Sequence, residues 1–197
     1  MRLWLKGAIW LCALTIIARL LWLGLNNQLG PDPGKDLTDS FGLWALRFLL
    51  MTLCMRPLFD LSGKAVFLQV RRLLGLFTWF FATMHFAAGL FYVIGISYPE
   101  IVKALAEKTY VVLGFAAWCL LVPLGVTSNR FAQRKLGRRW RQLHRLIYPA
   151  ALIACLHFLW LVRSDYLEPA FYCLLCVILL CWRLRFLRKM ASPRANV

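Results

Sequence analysis

The chain holds three histidines, His85, His144 and His157, and each lies within or at the edge of a hydrophobic stretch long enough to cross a bilayer. His144 and His157 are 13 residues apart, and Arg71 precedes His85 by 14. On helices these separations rise about 20 Å and about 21 Å. If the two stretches run in the same direction, Arg71 lies at the depth of His144, and His85 at the depth of His157. Two levels of candidate ligand on two helices fit an electron relay through a membrane. Neutral imidazole is a good axial ligand to iron in either oxidation state, and a pair fills both axial positions of a haem.

The expected assignments are therefore His85 with His157 at an outer haem and His144 at an inner one. Arginine stays protonated and offers only donors. Arg71 is thus a candidate for the inner haem's propionates or for an unusual ligand role. Arg47 is a candidate for an outer propionate. At about 100° per residue, 14 residues return to within about 40° of the starting face, whereas 13 miss by about 140°. Pro149 stands between His144 and His157 and is expected to kink the helix and correct part of that miss. Span three adds Gly75, Ala82, Ala87, Ala88 and Gly89, small residues that let helices approach or admit a flat ring. The competing reading is that His85 and His157 only hydrogen-bond across helices, and that His144, beside Arg141 and Arg145, is a surface residue.

The elements that must position these groups follow from composition. Of 197 residues, 61% are hydrophobic, yet the net charge is +16; mean hydropathy is +0.66 and the pI near 10.2. The charge is gathered in short blocks between long apolar runs, the pattern of a helical membrane protein. Six runs can be drawn, near 7–25, 41–58, 73–96, 109–126, 146–163 and 169–187. They are continuous rather than alternating, which predicts helices and excludes a β-barrel. The expected fold is an all-α integral membrane protein, one six-transmembrane-helix bundle spanning 1–197. The first run has a basic start (Arg2, Lys6) but no small-residue cleavage site, so it reads as a retained span rather than a signal peptide.

Alternate loops differ sharply in charge. Eighteen of the 24 Lys and Arg fall before span one, around 56–72, in 128–145 and in 183–194, against Lys35, Lys103, Lys108 and Arg163 in the opposite loops. Seven of the eight acids, among them Asp32, Asp36, Asp39 and Glu168, lie on that second side. The positive-inside rule puts both termini in the cytoplasm. Arg19 and Arg47 lie within spans.

Other chemistries are excluded or reduced. No basic face exists apart from the membrane pattern, so nucleic acid is not an expected partner. All seven cysteines fall in apolar runs, which argues against structural disulfides. Cys173-x-x-Cys176 reads as two small apolar side chains on a membrane helix. There is no zinc spacing, P-loop or Gly-x-Gly-x-x-Gly, so a flavin or nicotinamide domain is expected on another polypeptide. The segment Arg130 to His144 reads as an anchor on anionic lipid, or as a docking face for an acidic or phosphate-bearing electron donor.

Three stretches carry a resemblance: Arg71-Arg-Leu-Leu-Gly-Leu through Ala82-Thr-Met-His85, Leu136-Gly-Arg-Arg-Trp-Arg-Gln-Leu-His144-Arg-Leu-Ile-Tyr, and Leu156-His157-Phe-Leu-Trp160. With Gly30-Pro-Asp-Pro and Thr52-x-x-x-x-Arg-Pro57, they make nearly the whole chain resemble the MsrQ (formerly YedZ) family. These are haem-binding membrane subunits of the bacterial periplasmic methionine sulfoxide reductase system. More distantly the chain resembles the transmembrane domain of ferric reductases and NADPH oxidases, in which each of two helices carries two histidines. Here Arg71 stands where the fourth would be, so the resemblance implies one haem or two.

The resemblance further implies a multi-pass protein of the bacterial inner membrane with b-type haem and FMN. It would pass electrons from the quinone pool to a periplasmic molybdopterin-containing reductase that repairs oxidised methionines. A cytosolic flavin reductase is the alternative donor, suggested by the basic inner face. The chain would then be an electron-transfer subunit with its catalytic partner elsewhere. Residues contacting FMN or quinone are not implied. Two other functions stay open at this point: a membrane haem reductase for another acceptor, such as a ferric chelate, and a non-redox helical membrane protein.

Overall fold

A computed structural model describes the backbone of residues 2–191 and the side chains of residues 3–184. The basic residues Arg185, Arg188, Lys189 and Arg194, counted above, have side chains outside the described residues. In chain order the helices are α1 (Arg2–Leu25), α2 (Pro33–Ser62), α3 (Val66–Ala88), α4 (Tyr98–Glu107), α5 (Thr109–Val126), α6 (Arg130–Leu136), α7 (Arg138–Leu143), α8 (Ile147–Leu161) and α9 (Leu167–Ala191). No strand occurs among the described residues. Six segments are long and apolar enough to cross a membrane: Leu3–Leu25, Pro33–Ser62, Val66–Ile94, Thr109–Val126, Arg138–Leu161 and Leu167–Leu184. The protein is thus an all-helical, six-span membrane protein.

Several helices run past their apolar cores for local reasons. α2 begins at Pro33, well before residue 41, because the Asp32 side chain accepts from the Lys35 amide and Pro33 occupies the first turn, where its missing N–H is not needed. Its 30 residues reach about 45 Å, more than the hydrocarbon thickness. α3 continues through a π-helical turn, Gly89–Ile94. Between α7 and α8 the chain makes one 3-10 turn, His144–Leu146. Pro149 then falls in the first turn of α8, where it breaks no helical hydrogen bond. The irregular turn lies at His144–Leu146, so His144 sits just before the regular helix that carries His157.

The bundle is organised around two antiparallel pairs, α2 with α3 and α5 with α8, which meet where α3 packs on α5; α1 closes on α3, and α9 on α8 and α2. The α2–α3 seam is aromatic. Phe48 stacks on Phe81 at 5.3 Å and 9°, Phe77 lies 5.5 Å from Phe48, and Trp10 of α1 meets Phe77 edge-on at 5.0 Å. Small residues allow close approach elsewhere: Ala13, Ala150, Ala151 and Cys176 are fully buried. The Cys173 thiol donates to the Cys155 carbonyl at 3.6 Å, joining α9 to α8. Trp4, Leu11, Leu21, Trp22, Phe91 and Trp160 point outward, an apolar exterior suited to lipid.

Candidate functional site

His85 projects from α3 towards α2, where its Nδ1–H donates to the Thr38 carbonyl at 2.8 Å. His157 projects from α8 towards α5, where its Nδ1–H donates to the Tyr110 carbonyl at 2.7 Å. A carbonyl oxygen can only accept, so each neutral ring must carry its proton on Nδ1. The lone pair is then on Nε2, and neither Nε2 makes a hydrogen bond among the described residues. A carbonyl accepting from Nδ1–H is the contact that fixes tautomer and ring direction in metal-binding histidines.

The two rings face each other across the junction of the helix pairs, with centroids 5.9 Å apart and planes at 74°. An imidazole nitrogen sits about 2 Å from a transition-metal ion, so two rings sharing one iron have centroids about 6 Å apart. The observed spacing fits a shared iron and is too long for a direct hydrogen bond between ring nitrogens to be the purpose of the pair. The ring of Tyr110 lies 6.3 Å from that of His157. Asp39, next to Thr38 on α2, is the carboxylate that acts electrostatically on His85.

The Nδ1–Cε1 side of each ring also lies close against a glycine. A Cβ at Gly42 would come 2.7 Å from His85 Nδ1 and 2.8 Å from its Cε1. One at Gly114 would come 2.9 Å from both Cε1 and Nδ1 of His157. These glycines and the two carbonyls escaped the sequence reading. The signal was there: Gly42 precedes His85 by 43 residues, and Gly114 precedes His157 by the same 43. The glycines that were singled out, Gly75 and Gly89, face α2 at ordinary contact, 3.8 Å from Thr52 Cγ2 and 3.6 Å from Thr38 Cγ2. They serve helix approach rather than a ring slot.

At the opposite, basic end, His144 occupies the 3-10 turn before α8 and packs edge-on against Trp140 at 3.9 Å. Its Nε2 is buried without a hydrogen-bond partner among the described residues. Arg71 of α3 is near enough to act on it electrostatically. The 3-10 turn advances about 120° per residue, which cuts the expected rotational miss between His144 and His157 from about 140° to about 80°. Arg71 also lines a small cavity with Arg56, Tyr148, Trp182 and Arg183. Seven exposed basic residues from Arg130 to Arg145 surround this end on α6, α7 and the 3-10 turn.

Arg47 is drawn to α9: its Nε donates to the Tyr172 hydroxyl at 2.8 Å, its Nη2 lies 3.8 Å from Glu168, and its guanidinium covers Trp44 at 4.7 Å. Cys155, Cys173 and Cys176 gather between α8 and α9. No group of three His, Cys, Asp or Glu among the described residues forms a bare metal site. The paired imidazoles instead suit a metal whose other ligands come with a cofactor.

Comparison with known proteins agrees with this geometry. Residues 41–155 match the family described as ferric reductase like transmembrane component, a stretch that holds Gly42, His85, Gly114 and His144. The chain is 46% identical over 176 residues to the protein-methionine-sulfoxide reductase heme-binding subunit MsrQ of Xanthomonas euvesicatoria pv. vesicatoria, covering 89% of this chain and 80% of the relative. The proteins of the same name from Xanthomonas oryzae pv. oryzae and Xanthomonas campestris pv. campestris are 45% and 46% identical, over 83% and 80% of this chain and 75% and 72% of theirs.

Proposed function

The chain belongs to the ferric reductase-like transmembrane family and, within it, to the MsrQ haem-binding subunits, and from that premise we propose how its residues serve a membrane haem electron-transfer subunit of a methionine sulfoxide reductase system. His85 and His157 would together hold one haem b between α3 and α8. His144 supports a second haem at the basic end, with Arg71 beside it as a propionate contact. Arg47 is the candidate contact for a propionate of the first haem. With both axial positions taken by imidazole, haem supplies one-electron transfer without an open site for oxygen.

The chain's own groups do the rest. The Thr38 and Tyr110 carbonyls hold a proton on each Nδ1, so that the free lone pair of each ring is on Nε2. Phe81, fully buried one turn before His85 on α3, fills the adjoining α2–α3 seam with Phe48. Arg71, always charged, balances anionic groups at the basic end. The observation that carries the reading is the pair of imidazoles at 5.9 Å, each held through Nδ1 to a helix carbonyl and with no hydrogen bond to Nε2 among the described residues.

The basic end faces the cytoplasm of a bacterium, both termini lie there, and the acidic end with the His85–His157 pair faces the periplasm. The donor is a quinol of the inner membrane, with a cytosolic flavin reductase as the other source fitted to the basic face. FMN belongs to the system by family. The acceptor is a separate periplasmic molybdopterin-containing reductase. The test is the reduced-minus-oxidised spectrum of purified His85→Ala and His157→Ala. Both should lose the same low-spin b-type signal and electron delivery. A wild-type spectrum in either variant would refute the pairing.

A further inference from the structure

The two halves of the site are copies of one device. His157, Gly114 and Tyr110 each lie 72 positions after their counterparts His85, Gly42 and Thr38. The hydrogen bond, the glycine contact and the direction of approach repeat with them. The same register carries buried Leu49 onto buried Leu121, and Phe86 onto Phe158. The helix pairs α2–α3 and α5–α8 are thus tandem repeats, and the shared features mark what each copy needs in order to seat its ring.

In an α-helix the residue at i+4 stands one turn above the carbonyl of residue i. Gly42 is four residues after Thr38, and Gly114 four after Tyr110. A side chain at either place would cover the carbonyl that the imidazole must reach. The missing Cβ leaves one lone pair of that carbonyl open while the helix uses the other.

We propose that Gly42 and Gly114 are positioning residues that uncover a helix carbonyl and set the orientation of each ligand imidazole. This rests on the reading of His85 and His157 as haem ligands. An alanine methyl at Gly42 would need the His85 ring to retreat roughly 0.8 Å to reach ordinary contact. That movement stretches the 2.8 Å bond to the limit of a hydrogen bond. The ring must then tilt, and its Nε2 becomes a weaker donor to a metal because the Nδ1–H bond no longer enriches it.

Two readouts follow. Near-perpendicular ligand planes keep the two iron dπ orbitals close in energy, which makes the ferric low-spin resonance strongly anisotropic. Gly42→Ala and Gly114→Ala should each reduce that anisotropy and raise the reduction potential. Gly75→Ala and Gly89→Ala are the controls, since their Cβ atoms meet only ordinary contacts, 3.8 Å and 3.6 Å away. They should leave both quantities at wild-type values.

The experiment is electron paramagnetic resonance and redox titration of the four purified full-length variants, with circular dichroism and elution profile as fold checks. If a variant retains no haem, loss confined to Gly42→Ala and Gly114→Ala, with wild-type helix content, supports the proposal. Loss in Gly75→Ala or Gly89→Ala as well overturns it, as does a wild-type resonance and potential in both test variants. A wild-type chain lacking a bis-imidazole low-spin resonance would instead sink the ligand assignment. A normal wild type with unaffected glycine variants sinks only the seating.

Discussion

His144→Phe should stabilise the haem-depleted chain and destabilise the loaded one. In the structure, His144 Nε2 is buried with no partner, while the ring packs edge-on against Trp140 at 3.9 Å and 85°. A buried polar atom without a hydrogen bond costs the fold about 1–3 kcal/mol. The ring as a whole is only partly buried, so the low end applies, about 1 kcal/mol. Phenylalanine keeps the ring shape and the contact with Trp140 and removes the orphan atom. For a chain of this size 1 kcal/mol moves the melting midpoint by roughly 2–4 °C, and upward in this case. When haem is bound, wild type gains whatever its Nε2 contributes to binding, and the variant does not. The order of the two proteins should therefore invert on loading. Thermal unfolding in detergent, with and without haem, reads both signs. A haem-depleted variant less stable than wild type would refute the reasoning, because Nε2 would then be satisfied within the bundle.

Three further outcomes are expected. A reporter fused after Val197 should be active only in its cytoplasmic form; periplasmic activity would reverse the ends of the bundle. Tyr172→Phe removes the acceptor of the 2.8 Å bond from Arg47 and should lower stability by about 1 kcal/mol, the side chain of Arg47 being 34% exposed and the interaction weakened by solvent. In an Arg47→Leu background the same change should alter stability by a few tenths of a kcal/mol at most, and an undiminished effect there would show that Tyr172 acts by packing. In liposomes the chain alone should not turn over methionine sulfoxide, whereas adding the reductase outside should; turnover without the partner would end the conduit reading.

The depth match of His85 and His157 was legible because helix rise converts sequence spacing to distance, and hydropathy fixed the two helices as spans. The six-span fold was legible for the same reason. The ring partners were not. Knowing that His85 meets Thr38 requires the register of α2 against α3, which aromatic packing of Phe48 on Phe81 sets and no local pattern announces. The 3-10 turn at His144–Leu146 was not legible, because hydropathy does not show where regular helix begins beside Pro149. The helical start of α2 at Pro33 was hidden by hydropathy, which sees Asp36 and Asp39 as loop although a capped helix tolerates them. Arg47 was placed by charge alone, and its tie to Tyr172 needed the return of α9 to the same end.

The clamp on each imidazole bears on how little must move when an electron arrives. His85 is pinned by the Thr38 carbonyl and by the face of Gly42, and His157 by Tyr110 and Gly114. In the proposed haem site, rings held in this way would tilt or retreat little as the charge between them changes by one unit. The nuclear rearrangement that accompanies each transfer is then small, and the barrier it sets is low in both directions. Because the clamp is main chain, no single side-chain replacement can strip away its acceptor, and variation can act on it only by covering it over.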